Sequence, residues 1–165
     1  MRVVEIREFG APEVLIPTTR PDPALPSAGS GEILIKVLAA GINRPDVLQR
    51  KGHYPVPAGA SDIPGLEVAG EIIAMGKAVT GFALGDAVMA LTNGGGYAEY
   101  AVAPEGNIFP MPGNLDWNAA AALPETYCTV WSNVFIDSAL GPDESFLMNG
   151  GTSGIGVAAI QIAHS

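Results

Sequence analysis

The chain has 165 residues, room for one domain or slightly more, and 48% of them are hydrophobic against 15% charged, a balance that builds a core. A formal net charge of −9 argues against nucleic acid or an anionic membrane surface as partner. The single cysteine, Cys128, excludes an internal disulfide and any multi-cysteine zinc knuckle. Twenty-one glycines and fourteen prolines call for many turns and favour a β-rich body. No apolar run reaches the ~20 residues of a membrane helix. The opening Met1-Arg2-Val3-Val4-Glu5 is charged too early for a signal peptide. The expectation is a soluble, cytoplasmic protein.

Arg2 to Arg7 alternates weakly and predicts a strand, turned by Gly10-Ala11-Pro12 into a hairpin partner at Val14 to Ile16. Pro17 to Gly31, with four prolines and two glycines, predicts a surface loop. Glu32 to Ala40 carries the strongest strand signal. Asn43-Arg44-Pro45-Asp46 then opens a short helix, with Asn43 as N-cap and Pro45 in the first turn, and Gly52 closes it. His53 to Pro64 is a loop. Strands are predicted over 66–75, 87–91, 96–102 and 107–111, and short strands at such intervals point to a small barrel or sandwich.

After residue 113 the character changes. Asn114 to Asp116 caps an alanine-dense helix over 117–123, and Pro124 breaks it. Tyr127, Val130, Trp131, Val134 and Phe135 mark one face of an amphipathic helix over 125–140. Phe146 to Met148 reads as a buried strand, and Gly150-Gly151-Thr152-Ser153-Gly154-Ile155-Gly156 as a glycine turn into a final helix. Strand, glycine turn and helix open a dinucleotide-binding βαβ unit. The free N–H groups and partial positive charge of a helix start suit a pyrophosphate. The spacing is G-x-x-G-x-G rather than G-x-G-x-x-G, and the same residues also read as a plain turn between strand and helix. The division expected is 1–113, a β-rich domain, and 114–165, linking helices and the start of an α/β domain.

Several motifs agree with one family. Gly41-Ile42-Asn43-Arg44-Pro45-Asp46, Gly65-Leu66-Glu67-Val68-Ala69-Gly70, Gly85-Asp86-Ala87-Val88, Leu123 to Trp131 and Gly151 to Gly156 resemble, in order, the medium-chain dehydrogenase/reductase superfamily and its zinc-free quinone oxidoreductase branch. Asn43 to Tyr54 looks most like the tumour-suppressor-induced quinone oxidoreductase subgroup. The resemblance implies a GroES-like barrel (α+β) followed by a Rossmann domain. Family members run to about twice this length, so only the first strand and helix of that truncated Rossmann domain are expected here. The parent is expected to be a homodimer or homotetramer. It would pass hydride from NADPH, with NADH not excluded, to a quinone or enone-like small molecule. An enoyl reductase on the same scaffold and an inactive truncated fragment are the alternatives. The 165-residue polypeptide alone is expected to be inactive.

The resemblance also implies roles. Zinc-dependent relatives carry metal ligands where this chain has Asn43, Leu66 and Glu125. An amide, a butyl group and one carboxylate do not hold zinc, so no metal is expected. A carbonyl oxygen must then be polarised by hydrogen-bond donors. Tyr54 is the expected catalytic donor, although it also reads as a loop aromatic. Asn43 is expected beside the nicotinamide, and it caps its helix on either reading. Thr129 faces the cofactor in the family, or bonds its own backbone as helix threonines do. Gly151, Thr152, Ser153, Gly154, Ile155 and Gly156 are the expected pyrophosphate-binding turn. Glu125 reads as a first-turn charge and Cys128 as a core residue, while His53 and His164 carry no expected role.

Overall fold

The computed structural model describes all residues, Met1–Ser165. β1 (Arg2–Ile6) and β2 (Leu15–Thr19) form an antiparallel hairpin with Val4 opposite Pro17. The loop expected from Pro17 therefore starts later, at residue 20. β2 is an edge strand, where a missing N–H costs no ladder bond. Arg20 follows it and is gripped by both oxygens of Asp62, at 2.7 and 2.9 Å, and by Glu5. These pairs tie the hairpin to the loop before β4.

The body is a five-stranded antiparallel sheet in the order β6-β3-β4-β5-β7. Its strands are β3 (Glu32–Ala40), β4 (Glu67–Met75), β5 (Ala87–Leu91), β6 (Tyr100–Pro104) and β7 (Ile108–Pro110). β3 and β4 are central, and register shifts at Leu34/Ile35 and Val37/Ala39 bend the pair. Ile33, Ile35, Val68, Ile72 and Val88 fill the core. These are β-branched residues, which suit a pleated buried surface. The strand expected over 96–102 begins later, at Tyr100, because residues 97–99 cross to the hairpin. Val4 N–H donates to Tyr97 O at 2.9 Å and Glu99 N–H to Arg2 O at 3.1 Å.

α1 (Arg44–Arg50) follows β3 and carries the site described below. α2 (Trp117–Ala120) is shorter than expected. It is capped by Asp116, whose carboxylate accepts the Ala119 N–H at 2.8 Å. The long helix expected over 125–140 divides. α3 (Pro124–Val130) is regular, and residues 131–137 widen into π-helical turns. The cause is local: the Asn133 side-chain amide donates to Thr129 O at 2.8 Å, competing for the acceptor that its own N–H would take in an α-helix.

The segment expected to be a strand, Phe146–Met148, pairs with nothing and forms no ladder. A strand exists only by its neighbours' hydrogen bonds. α4 (Gly154–His164) docks on α3 instead of on a sheet. Ala158 and Ala159 bury against Val130, and Tyr127 Oη donates to Gln161 Oε1 at 2.8 Å. Val157 and Ile160 are exposed. No helix of the chain is long and apolar enough to cross a membrane.

Candidate functional site

The site grows from the turn between β3 and α1. Asn43 sits at the N-cap in extended backbone, φ −121° and ψ 158°. Its N–H donates to Asp46 Oδ2 at 2.7 Å, which satisfies the cap reciprocally from within the first turn. The amide nitrogen has no part in capping, and Nδ2 donates to Glu67 Oε1 at 2.8 Å. One residue thus both caps α1 and reaches β4 through its side chain.

Glu67, the first residue of β4, is only 2% exposed. Its second oxygen, Oε2, accepts the Glu125 backbone N–H at 2.9 Å. One buried carboxylate therefore joins α1, β4 and α3. Gly41 makes room for it: a Cβ there would lie 2.1 Å from Glu67 Oε1. Burial pushes the Glu67 carboxyl above its ordinary range, with the nearby Asp46 adding to the shift and the two donors opposing it. Burial, then the Glu67 and Asp46 charges, raise Glu125 too, against an opposing hydrogen bond from Thr129. Cys128 shares the neighbourhood. Burial, then Glu125 and Glu67, push its thiol upward, which keeps this half-buried group in its neutral form.

Asp46 is the second buried carboxylate. It accepts from Asn43 N–H, from Gly65 N–H at 3.0 Å and from Tyr97 Oη at 2.9 Å. Burial, followed by the Asp46 charge, holds the Tyr97 hydroxyl protonated well above its ordinary range. Sequence reasoning gave no role to Glu67, Asp46 or Tyr97. The available signal was an acidic residue opening a run of buried strand positions, Glu67-Val68-Ala69, directly after the glycine turn at Gly65.

Of the residues weighed from the sequence, Asn43 and Glu125 meet at Glu67, and Thr129 stands next to Glu125 on α3. Tyr54 stands apart in the loop after α1, 37% exposed. It borders a small pocket with Gln49, Leu66 and Asn93, and Leu66 precedes Glu67 directly. No direct hydrogen bond joins Tyr54 to the Asn43–Glu67 pair.

The glycine turn forms a separate cluster. Gly150 turns at φ 75°. Ser153 Oγ donates to Gly150 O at 2.8 Å and accepts the Gly156 N–H at 3.0 Å. The Ser153 hydroxyl therefore caps α4. At Gly156 a Cβ would fall 2.4 Å from Gly150 O, so only glycine fits. The N–H groups of Gly154 and Ile155 donate to no backbone acceptor, and the space around Gly154 is open. Two orphan donors at a helix start fit an anion.

Residues 29–113, just over half of the chain, match the alcohol dehydrogenase GroES-like domain. The chain is 39% identical to quinone oxidoreductase from Lama guanicoe, over all of this chain and 50% of that protein. It spans about half the length of the quinone oxidoreductases it matches. Among solved structures, it aligns with the human synaptic vesicle membrane protein VAT-1 homolog-like protein at TM-score 0.87 and 31% identity, covering 98% of this chain and 52% of that one. The CurK enoyl reductase aligns at 0.86 and 26%, covering 99% and 51%. A mycobacterial protein solved with NADPH aligns at 0.82 and 28%, covering 99% and 50%. The chain belongs to the alcohol dehydrogenase GroES-like family and, within the medium-chain dehydrogenase/reductase superfamily, to the quinone oxidoreductase branch.

Proposed function

We propose that this chain is the substrate-side part of a zinc-independent, NADPH-dependent reductase of quinones or enone-like carbonyls. The observation that carries the reading is the Asn43–Glu67–Glu125 linkage. Where a metal centre needs several free ligands, this chain has one buried carboxylate with both oxygens occupied by N–H donors, beside an amide and Leu66. No group of three or more His, Cys, Asp or Glu side chains is placed to hold a metal ion. The similarity to the NADPH-bound mycobacterial structure favours a reduced nicotinamide, with the phosphorylated form as the first choice.

When bound, the nicotinamide supplies hydride. The chain's own residues do the rest. Gly154 and Ile155 N–H groups receive a phosphate at the start of α4, with Gly151 and Thr152 shaping the turn. Asn43, its amide orientation fixed by Glu67, and Thr129 would hold the cofactor ring. Tyr54 Oη donates to the substrate oxygen as charge builds on it. The proton that completes the reduced product comes through Tyr54 from solvent, to which it is open. The whole protein acts as a cytoplasmic homodimer or homotetramer.

The similarity to the CurK enoyl reductase favours one second reading, reduction of an enoyl thioester. A nicotinamide oxidation assay on the protein as encoded in its gene, in chelator, with 1,2-naphthoquinone, an enone and an enoyl thioester as acceptors, separates the readings. Quinone- or enone-dependent oxidation of NADPH is expected. Activity restored only by added zinc overturns the zinc-independent reading, and exclusive use of the thioester favours the second. Residues 1–165 alone are expected to show no turnover.

A further inference from the structure

Tyr97 carries a polar group that no step of the reduction uses. Its hydroxyl donates to Asp46 Oδ2 at 2.9 Å, across 51 positions of sequence. Its backbone is held on two sides: the N–H donates to Pro64 O and the C=O accepts the Val4 N–H, both at 2.9 Å. The ring lies on Gly65, where a Cβ would fall 2.7 Å from Tyr97 Cδ1 and where φ is 102°, a conformation open to glycine. Burial, with the Asp46 charge next, keeps the hydroxyl protonated, so it remains a donor.

Asp46, 6% exposed, is where two routes meet. Its Oδ2 takes the Asn43 N–H together with the Tyr97 hydroxyl, and its Oδ1 takes the Gly65 N–H. Gly65 stands two residues before Glu67, and Glu67 Oε1 takes the Asn43 side-chain amide. The result is a closed ring that runs from the Asn43 backbone to Asp46, on to Gly65, along the chain to Glu67 and back to the Asn43 side chain. The turn at Gly65 is tied on its other side as well. Thr92 Oγ1 donates to Gly65 O at 3.0 Å and Thr92 N–H to Leu66 O at 2.8 Å. Backbone and side chain of Asn43 are thus set by one buried network, in which Tyr97 is the one side-chain donor to Asp46. Hydrogen bonds to an ionised acceptor are the strong ones, and a buried network specifies a single arrangement when every member is satisfied.

We propose that Tyr97 is a positioning residue: its hydroxyl, acting through Asp46, locks the Asn43 cap against the turn at Gly65 and so sets the angle at which the Asn43 amide meets the nicotinamide ring. The inference rests on the reading that Asn43 holds that ring. Tyr97 itself touches neither cofactor nor substrate. Without its hydroxyl, Asp46 Oδ2 keeps only the Asn43 N–H, and the first turn of α1 can shift relative to Glu67. A misplacement of ~1 Å at a reacting centre can cost about 10²-fold in rate, so a smaller shift still registers in turnover.

Tyr97→Phe deletes the hydroxyl and keeps the ring, and the test uses the protein as encoded in its gene. In the cofactor-free protein, the side-chain amide resonances of Asn43 should shift and exchange faster with solvent. In steady state, kcat for quinone should fall about five- to tenfold, short of the loss for a ~1 Å displacement, while KM for NADPH stays within about twofold. The primary isotope effect with 4-deuterated NADPH should rise, because misplacement slows hydride transfer itself. Asn43→Ala alone should slow turnover at least as much, and adding Tyr97→Phe to it should slow turnover no further, since both act through one side chain. Should Tyr97→Phe fail to fold, Asp46→Asn takes its place, with the same shift at the Asn43 amide and the same non-additive loss expected. Wild-type turnover in Asn43→Ala overturns the reading of Asn43, and the inference with it. A slow Asn43→Ala beside a Tyr97→Phe of wild-type kcat overturns the inference alone, even where the denaturation midpoint drops. An unmoved Asn43 amide, or losses that multiply in the double variant, does the same.

Discussion

The sheet and the C-terminal helices solve the same problem with unequal success. In the sheet, β3 and β4 each have a strand on both edges, and nine residues make one continuous core. In the helical part, three residues do the corresponding work: Val130, Ala158 and Ala159. Leu147, Val157, Ile160 and Trp131 stay exposed beside them. Both regions are rich in apolar residues, so composition does not separate them. Pairing does. Each strand of the sheet finds neighbours within residues 1–113, whereas Phe146–Met148 finds none. The lesson is that the two parts differ in how many of their contacts are internal, and their stabilities should differ in step.

The largest test removes one core side chain from each. Ile35→Ala, at a position with no exposed surface, should lower global stability by about 4 kcal/mol, within the 2–5 kcal/mol typical of such truncations. Val130→Ala should cost about half as much and should act on α3 and α4 while the sheet stays folded. Chemical denaturation followed by Trp fluorescence, together with hydrogen exchange, reads both. Equal global losses would mean that the two regions form a single cooperative unit.

Glu67 lies where the regions join, and its removal comes next. Glu67→Leu strands the Asn43 amide and the Glu125 N–H, at about 1–3 kcal/mol for each buried donor, so roughly 3 kcal/mol in total is expected. The carboxyl also sets a pH dependence. Its folded pKa is raised above the ordinary 4.5, as is that of Glu125. The native state therefore holds protons that the unfolded state has lost. Stability falls as pH rises from about 4.5 through the raised values and levels off above them. Asp62, lowered by Arg20, acts in the opposite sense but below its ordinary 3.8, outside that window. Denaturation midpoints at stepped pH should show the decline in wild type and a shallower one in Glu67→Gln. An unchanged slope in that variant would remove Glu67 as its source.

Much of the sheet was legible because its signals are local. Glu32–Ala40 and Ala87–Leu91 appear over the spans their apolar runs predict. What was not legible depends on partners distant in sequence. Nothing near Phe146 states that its ladder neighbours are absent, and nothing near Asn133 states that its side chain will take Thr129 O. The site divides in the same way. Asn43 was readable as a cap and an amide at once, and the glycine turn as a helix start. The role of Glu67 was hidden, because it needs Gly41, Asn43 and Glu125 brought together from three elements.

Tyr54 offers a test in which chemistry and stability separate. Its hydroxyl makes no protein hydrogen bond in the structure and the ring is 37% exposed, so Tyr54→Phe should leave the unfolding midpoint in place. If it donates to the substrate oxygen, quinone turnover by the gene-encoded protein should drop about tenfold. That is less than the 10²–10³ lost on removing an oxyanion-hole donor, because a quinone is already electrophilic. Steady-state rates, with a solvent isotope effect to show that proton delivery is being measured, make the check. Unchanged turnover would assign Tyr54 to packing alone.

The smallest expected effect sharpens the opening contrast most directly. Ser153 caps α4 through the Gly156 N–H, and its hydroxyl also donates to Gly150 O. Ser153→Ala removes one cap bond and should cost about 1 kcal/mol, as N-cap substitutions typically do. In a single cooperative domain that loss would appear in the global transition. Here α4 is held chiefly by Ala158, Ala159 and the Tyr127–Gln161 bond, so the loss should remain within the helix. Amide exchange across residues 158–162 should quicken by about fivefold, the equivalent of 1 kcal/mol in a local opening equilibrium. The amides of Ile33, Ile35 and Val68 should exchange as in wild type, and the denaturation midpoint should not move. Slowed or unchanged exchange in α4 would show that the cap does not limit its opening. Quickened exchange in β3 as well would show that the helices and the sheet open together, against the contrast drawn from their packing.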